Sequence, residues 1–406
     1  MSYIAAIGRI KLPWKLQQGL RFLGSFFGVV SQRMRLFFPY LKHSFRNCLK
    51  TNGKNLPTIV VCLKEKDILQ GKGTRLFHIL NTLTMSGYNV NLVRKIGLRE
   101  YFSLGVYGRL IYLIENLKII NKIPRETEDK IFCFDEEGGM SAGRKWKKTI
   151  RIRYDIFSAS KEGEKPIVMP FQMHPGNYAK FKYHEKLKTF RDKKRSLRIF
   201  FSGDMDKRYY LSGVSKYFPN KLSRLQAIEV ILTDLREETL YIGDKENLGG
   251  LFNKEYTDKC VIIDNSKMYI QHEHWLDTIS RSDFFLCVPG ATMPMCYNAI
   301  EAMAVGTIPI INYPEWFKPH LKDMENCVIY TDKEDLVKKI KNVLEMDREK
   351  INELRDNVIR YYEERLELKN FVSRFLSAQE YKAELFVITT INKHFQNINS
   401  DSIILS

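Results

Sequence analysis

Within the stretch Ser282 to Asn312, SDFFLCVPGATMPMCYNAIEAMAVGTIPIIN, Glu301 is the one charged side chain after Asp283. A carboxylate in apolar surroundings is costly to bury alone, so Glu301 needs a partner. A ribose diol would serve, because its two hydroxyls donate to the two carboxylate oxygens and orient a nucleoside. The plainer alternative is a neighbouring Lys or Arg, or solvent. The residues around Glu301 spell out the element that would carry it. Phe284 to Val288 is a short apolar run closed by Pro289-Gly290, the signature of a buried parallel strand ending in a turn. Thr292 then reads as an N-cap and Pro294 as first-turn proline, with Ile300, Met303 and Ala304 on one stripe and Gly306 as the stop. Thr307 to Ile311 is the next strand, which completes a β-α-β unit. Backbone N–H groups near Ala291 to Met295, with the helix dipole behind them, suit an anion such as a diphosphate.

Other candidate chemistry lies upstream. The strand Lys130 to Phe134 runs into Asp135-Glu136-Glu137-Gly138-Gly139, where a desolvated carboxylate would act as a general base; a solvated acidic turn is the alternative. His174, in the turn of MPFQMHPG after the strand Pro166 to Met169, has the intrinsic pKa of a base, or is simply exposed. His78 is a lesser candidate on the first helix. Gly71-Lys72-Gly73 leaves the end of the first strand, Thr58 to Leu63, but lacks the spacing of a phosphate loop and suits acceptor access better. Asp204-Met205-Asp206 spells D-x-D, which chance supplies about once in a chain of this size, so it reads as a loop and N-cap. Gln271-His272-Glu273-His274 begins a helix with no cysteine cluster beside it and reads as surface histidines.

The elements that position these groups alternate. After the first strand come a helix from Gly73 to Met85, a strand from Tyr88 to Val93, and a second helix expected over Leu104 to Ile119. The charge run around Tyr183 to Arg198 marks a linker, and Leu197 to Phe201 opens a second half ending in Ser202-Gly203-Asp204. Lys259 to Ile263, the helix Met268 to Ser280, the Ser282 block and Val328 to Tyr330 continue a doubly wound pattern.

The second half resembles the nucleotide-sugar domain of GT-B glycosyltransferases, and most of all the exostosin-like family. The match is carried by Ser282, Phe284, Leu286, Pro289, Gly290, Glu301-Ala302, Gly306, Ile308-Pro309 and Ile311, with Phe200, Phe201 and Gly203 upstream. It covers roughly Leu197 to Tyr330. Cys296 and Asn298 stand where that family commonly has Ser and Arg, which leaves the donor open. The resemblance implies a GT-B fold, with two Rossmann-like doubly wound domains facing a cleft. It implies a UDP- or GDP-sugar donor, a glycan or lipid-linked acceptor, and no required cofactor or metal. Glu301 would hold the ribose, Gly203, Gly290, Ala291, Thr292 and Asn298 would line the donor site, and Lys207 or Arg208 would neutralise the departing diphosphate. The base would come from the first half, from Asp135, Glu136 or His174.

Charge is distributed unevenly. Met1 to Lys64 holds eleven Lys and Arg and no Asp or Glu, which is +11 of the formal +18 and leaves +7 for the rest. Trp14, Leu20, Phe22, Leu23, Phe26, Phe27, Val30, Met34, Phe37 and Phe38 recur there at helical intervals between basic residues, as in an interfacial amphipathic segment. Its longest uncharged apolar run, between Arg21 and Arg33, is shorter than the ~20 residues of a membrane span. An anionic membrane surface is therefore the expected partner, with a partner-docking helix as the alternative and nucleic acid not expected. The seven cysteines include no C-x-x-C pair and read as buried reduced thiols of a cytosolic protein, peripheral on the inner face of a membrane. The expected organisation is a basic amphipathic segment over 1–54, an acceptor-side domain over 55–190, a nucleotide-sugar domain over 191–368, and a terminal helix over 369–406 packing back on the first domain. A GT-B-type sugar-nucleotide epimerase, or a non-catalytic membrane-associated glycan- or nucleotide-binding protein, would share much of this pattern.

Overall fold

In the computed structural model every strand pair among the described residues is parallel, and the strands gather into two sheets. The described residues are 56–404 apart from 70–72, 86, 96–97, 136–143, 160–165, 211–220, 244–250, 252–253, 292, 378–381, 389–397 and 399–401. The expectations for Met1–Lys54, Gly71-Lys72, Glu136, Glu137 and Thr292 lie outside them.

The first sheet contains β1 (Thr58–Cys62), β2 (Asn89–Val93), β3 (Leu117–Ile120), β4 (Ile131–Asp135), β5 (Lys148–Arg153) and β6 (Ile167–Met169), together with β13 (Lys382–Val387). The second contains β7 (Leu197–Gly203), β8 (Thr239–Ile242), β9 (Tyr256–Asp264), β10 (Ser282–Leu286), β11 (Ile308–Ile311) and β12 (Val328–Ile329). Their orders are β3-β2-β1-β4-β5-β13-β6 and β12-β11-β10-β7-β9-β8. The central strands read as continuous apolar runs because helices cover both faces of a parallel sheet. In β7 and β10 every residue is buried. Neighbouring strands whose following connections run in opposite directions are β1 and β4 in the first sheet and β7 and β10 in the second. Open α/β sheets form their ligand crevices at the carboxyl ends of such strand pairs. Two parallel α/β sheets in one chain are the architecture that the GT-B resemblance implies.

Two expectations are corrected. The helix foreseen over Leu104 to Ile119 is a 3-10 turn at Gly108–Leu113 followed by β3. The reason is packing: the backbone of Gly73 lies so close to Gly108 that a Cβ on Gly73 would fall 2.4 Å from the Gly108 Cα. The amphipathic run from Asn370 to Phe395 is not one helix either. Leu368–Ser377 is helical, and β13 then enters the first sheet between β5 and β6, with Leu385 beside Ile152 on one side and Ile167 on the other. Its sequence KAELFV alternates exposed and buried positions before ending apolar, the period of a strand. Since β5 and β6 meet only through β13, the chain must return from the second half to complete the first.

Gly73 has φ +79° and caps α1 (Thr74–Thr84), while Gly87 has φ +81° and open space around its Cα. Gly87→Ala is expected to cost about 1 kcal/mol from backbone conformation alone. Gly73→Ala adds a backbone clash and is expected to cost about 3 kcal/mol. Thermal unfolding of the two variants checks this; equal losses would mean that the Gly73–Gly108 approach is not tight in solution.

Candidate functional site

At the second sheet's reversal point the carboxyl ends of β7 and β10 are joined by one guanidinium. Ser223 is the N-cap of α3 (Arg224–Asp234), and a capping box with Gln226 fixes the start of the helix. That places Arg224 in the first turn, 6% exposed, with Nε donating to the Pro289 carbonyl at 3.2 Å and Nη1 to the Asp204 carbonyl at 3.0 Å. Its Nη2 lies 3.6 Å from Cys296 Sγ. Gly203 packs against the Phe201 ring, where a Cβ would lie 2.7 Å from Phe201 Cζ, with Arg224 Nη1 at 3.4 Å beyond it. Asn312, at the end of β11, donates to the Leu222 carbonyl at 3.2 Å and so ties a third strand end to the start of α3.

The turn after β10 differs from expectation. The helix α5 is Tyr297–Ala304, with Cys296 as an N-cap whose side chain makes no capping bond, so it starts after Pro294 and not before it. Gly290 N–H donates to the Pro294 carbonyl at 3.1 Å, which closes the Pro289-to-Pro294 turn on itself. A Cβ on Gly290 would lie 2.6 Å from the Met293 carbonyl oxygen. Gly290 and Ala291 therefore shape the turn, half-buried, and Asn298 lies half-buried in the first turn of α5.

Glu301 comes one turn into α5, at 1% exposure. It has neither an exposed carboxylate nor a cation on it in the hydrogen bonds it makes. His174 N–H and Asn177 Nδ2 donate to Oε1 at 3.0 and 2.8 Å, and Trp275 Nε1 donates to Oε2 at 2.6 Å. Trp275 belongs to α4 (His272–Ile279) of the second half. His174 and Asn177 follow β6 of the first, at and within the short helix α2 (Pro175–Ala179). Burial pushes the Glu301 carboxyl up to about 7, against the lowering effect of these three donors. The turn that supplies two of them is anchored from behind, since buried Gln172 donates to the His78 carbonyl at 2.8 Å and to Thr82 Oγ1 at 2.6 Å on α1.

The remaining sequence candidates have other tasks. Asp135 is fully buried and accepts from Lys64 N–H at 3.0 Å and Glu65 N–H at 2.8 Å, so a carboxylate of the chain itself occupies the reversal point of the first sheet. His174 Nδ1 accepts from Gly176 N–H at 3.1 Å, which leaves the ring proton on Nε2 and makes the outward atom a donor. His272 is not a surface histidine: it packs against His174 with ring centroids 3.7 Å apart. His78 is buried on α1, 5.8 Å from the Tyr297 ring. Lys207 and Arg208 are exposed on a short helical turn, and Arg208 Nε is 3.0 Å from Asp206 Oδ1. Asp204 Oδ1 accepts Asp206 N–H at 2.9 Å, as a loop and cap would.

Arg224, Asn177 and Trp275 were missed by the sequence reading. The first was legible: Ser223-x-x-Gln226 before the apolar run of α3 is a capping-box signature. The other two meet Glu301 only through tertiary structure.

No protein-family model and no curated protein matches the chain. Among solved structures, the chain is similar to the N-terminal domain of Candida albicans trehalose-6-phosphate phosphatase at 10% identity, covering 81% of this chain and 98% of that one with a TM-score of 0.39. It is similar to a glycosyltransferase from Rickettsia africae ESF-5 at 10% identity, covering 80% and 97%, TM-score 0.39. Sucrose-phosphate synthase from Thermosynechococcus elongatus is similar at 13% identity, covering 80% and 100%, TM-score 0.36. These are likenesses of general layout, and the chemistry of the site rests on its own residues.

The buried ionisable groups predict a pH profile. Burial lowers His78 and His174 from 6.5 to about 3, so each destabilises the fold as pH falls from 6.5 toward 3, where the unfolded chain binds the extra proton. Glu301, raised from 4.5 to about 7, acts in the opposite direction and destabilises as pH rises through that window. Two histidines outweigh one carboxylate, so the unfolding midpoint is expected to rise between pH 4.5 and 6.5. Glu301→Gln should steepen that rise and His78→Gln flatten it. A profile that is flat in the parent, or unchanged in both variants, would contradict these environments.

Proposed function

We propose that this chain is a glycosyltransferase that moves a sugar from a UDP- or GDP-sugar to a hydroxyl of a glycan or lipid-linked acceptor. The observation that carries the reading is the Arg224 guanidinium held between the Pro289 and Asp204 carbonyls at the reversal point of the second sheet. A nucleotide diphosphate is the anion such a crevice suits. The motif resemblance around Gly203, Gly290 and Glu301 supports the same assignment.

In this reading the diphosphate lies over the Pro289-to-Thr292 turn and the start of α5, and Glu301 receives the ribose hydroxyls. Breaking the sugar–phosphate bond builds negative charge on the diphosphate. Arg224, anchored by the Pro289 and Asp204 carbonyls, with the exposed Lys207 beside the same strand end, supplies positive charge against it. With cationic side chains in this role and Asp206 engaged by Arg208, the transfer needs no metal. The acceptor approaches from the first half. Asp135 and His174 have their acceptor atoms engaged there, so for an inverting transfer the remaining sequence candidates for the base are Glu136 and Glu137, outside the described residues. No helix among the described residues is long and apolar enough to cross a membrane. The basic segment over 1–54 is assigned to an anionic membrane surface, where each positive charge adds about 1 kcal/mol.

Titrating the full chain with UDP-, GDP- and CMP-sugars, with and without EDTA, tests the donor site. A UDP- or GDP-sugar should bind equally in both, and Arg224→Met should weaken it by roughly tenfold or more. Absence of any nucleotide binding, or an unaffected variant with a parent-like unfolding midpoint, would reject the site. For the segment over 1–54, the measurement is sedimentation with phosphatidylserine vesicles. Deletion should abolish partitioning, and unchanged partitioning would reject the anchor.

A further inference from the structure

We infer that Asn177 is a positioning residue that competes with the donor's ribose for Glu301, so that nucleotide binding releases the turn after β6 from the second half. The inference rests on the donor-site reading above and adds what must happen to the carboxylate before a ribose reaches it.

Three features carry it. First, the carboxylate is already satisfied. A carboxylate has about four lone-pair sites. Two on Oε1 are taken by His174 N–H and Asn177 Nδ2, and one on Oε2 by Trp275 Nε1. A diol that donates to both oxygens needs Oε1, and Oε1 is the atom held by the first half. Second, the shielding comes from the same contacts: Glu301 is 1% exposed and Asn177 is fully buried. Third, Asn177 is held one-sidedly. Its Nδ2 reaches Glu301, while its Oδ1 has no hydrogen-bond partner in the structure. A buried amide with one unsatisfied oxygen is costly. The Asn177 contact is thus a replaceable one, which a diol with two donors can displace.

The turn is braced internally as well as from behind. It is stiffened internally by His174 Nδ1 accepting Gly176 N–H, and Asn177 N–H donates to the His174 carbonyl at 2.9 Å. His174 meets the second half through rings, against His272 and Tyr297 at centroid distances of 3.7 and 5.5 Å, while Tyr183 beyond it donates to the Glu273 carbonyl at 2.6 Å. Ring contacts tolerate a small displacement better than a hydrogen bond to a carboxylate does. Trp275, in contrast, comes from the same half as Glu301 and can keep its bond to Oε2 while Oε1 changes partner.

The test uses UDP and GDP as probes with the full chain. Calorimetry should show Asn177→Ala binding the nucleoside diphosphate roughly tenfold more tightly than the parent, as expected when a competing hydrogen bond to a charged group is lost. Trp275→Phe, which removes the donor of the second half and leaves the competitor in place, should show no gain. In the unmodified protein, hydrogen exchange over residues 171–179 should accelerate when the diphosphate is added, because the His174 amide loses its acceptor. This readout does not depend on a variant folding. Parent-like or weaker binding by Asn177→Ala, or slower exchange over 171–179 with nucleotide bound, would overturn the competition while leaving the donor site standing. Failure of every form to bind either diphosphate would overturn the donor site itself, and the competition with it.

Discussion

The structure depends on how one buried carboxylate is satisfied. Glu301 sits where water does not reach, and no cation appears among its hydrogen-bond donors; three neutral N–H groups hold it. Two of those donors come from the first half of the chain and one from the second. The cost of burying the charge is therefore offset only when the turn after β6 lies against α5. Gln172 anchors that turn to α1 from behind, and at the far end of α5 Arg191 donates to the Ala304 carbonyl at 2.9 Å. Burial raises the pKa of the Glu301 carboxyl, and neutral donors offset less of that desolvation than a cation would.

The two sheets are both parallel but differ in strand order and in the chemistry at their reversal points. In the first, Asp135 folds back onto the Lys64 and Glu65 amides, the groups that would otherwise meet an incoming anion. In the second, the corresponding place holds Arg224 over glycine. An anionic ligand meets a carboxylate at one and a guanidinium at the other. On the proposed reading, this asymmetry favours the second half as the donor side.

The local features were legible in the sequence and the distant ones were not. The β10-turn-α5-β11 unit follows from an apolar run, Pro289-Gly290, a stripe and Gly306, and its error is confined to where the helix starts. Thr292 and Pro294 look like helix-opening residues, but Pro294 instead closes the preceding turn by accepting Gly290 N–H. That Glu301 must have a partner was legible from its apolar surroundings. Which partner was not, because two of the donors lie 127 and 124 residues away. The 3-10 turn at Gly108 depends on the approach of Gly73, and β13 depends on an open slot between β5 and β6. Both are decisions of tertiary packing that periodicity within one segment does not contain. Arg224 is a different case, for its capping box was present and went unread.

The central claim, that a nucleotide diphosphate belongs at the second reversal point, is tested most directly by a crystal structure of the full chain with UDP or GDP. The account predicts phosphate oxygens beside Arg224, between the ends of β7 and β10, with the ribose hydroxyls on Glu301. A nucleotide found instead at the carboxyl end of β1, near Lys64 and Asp135, would contradict it.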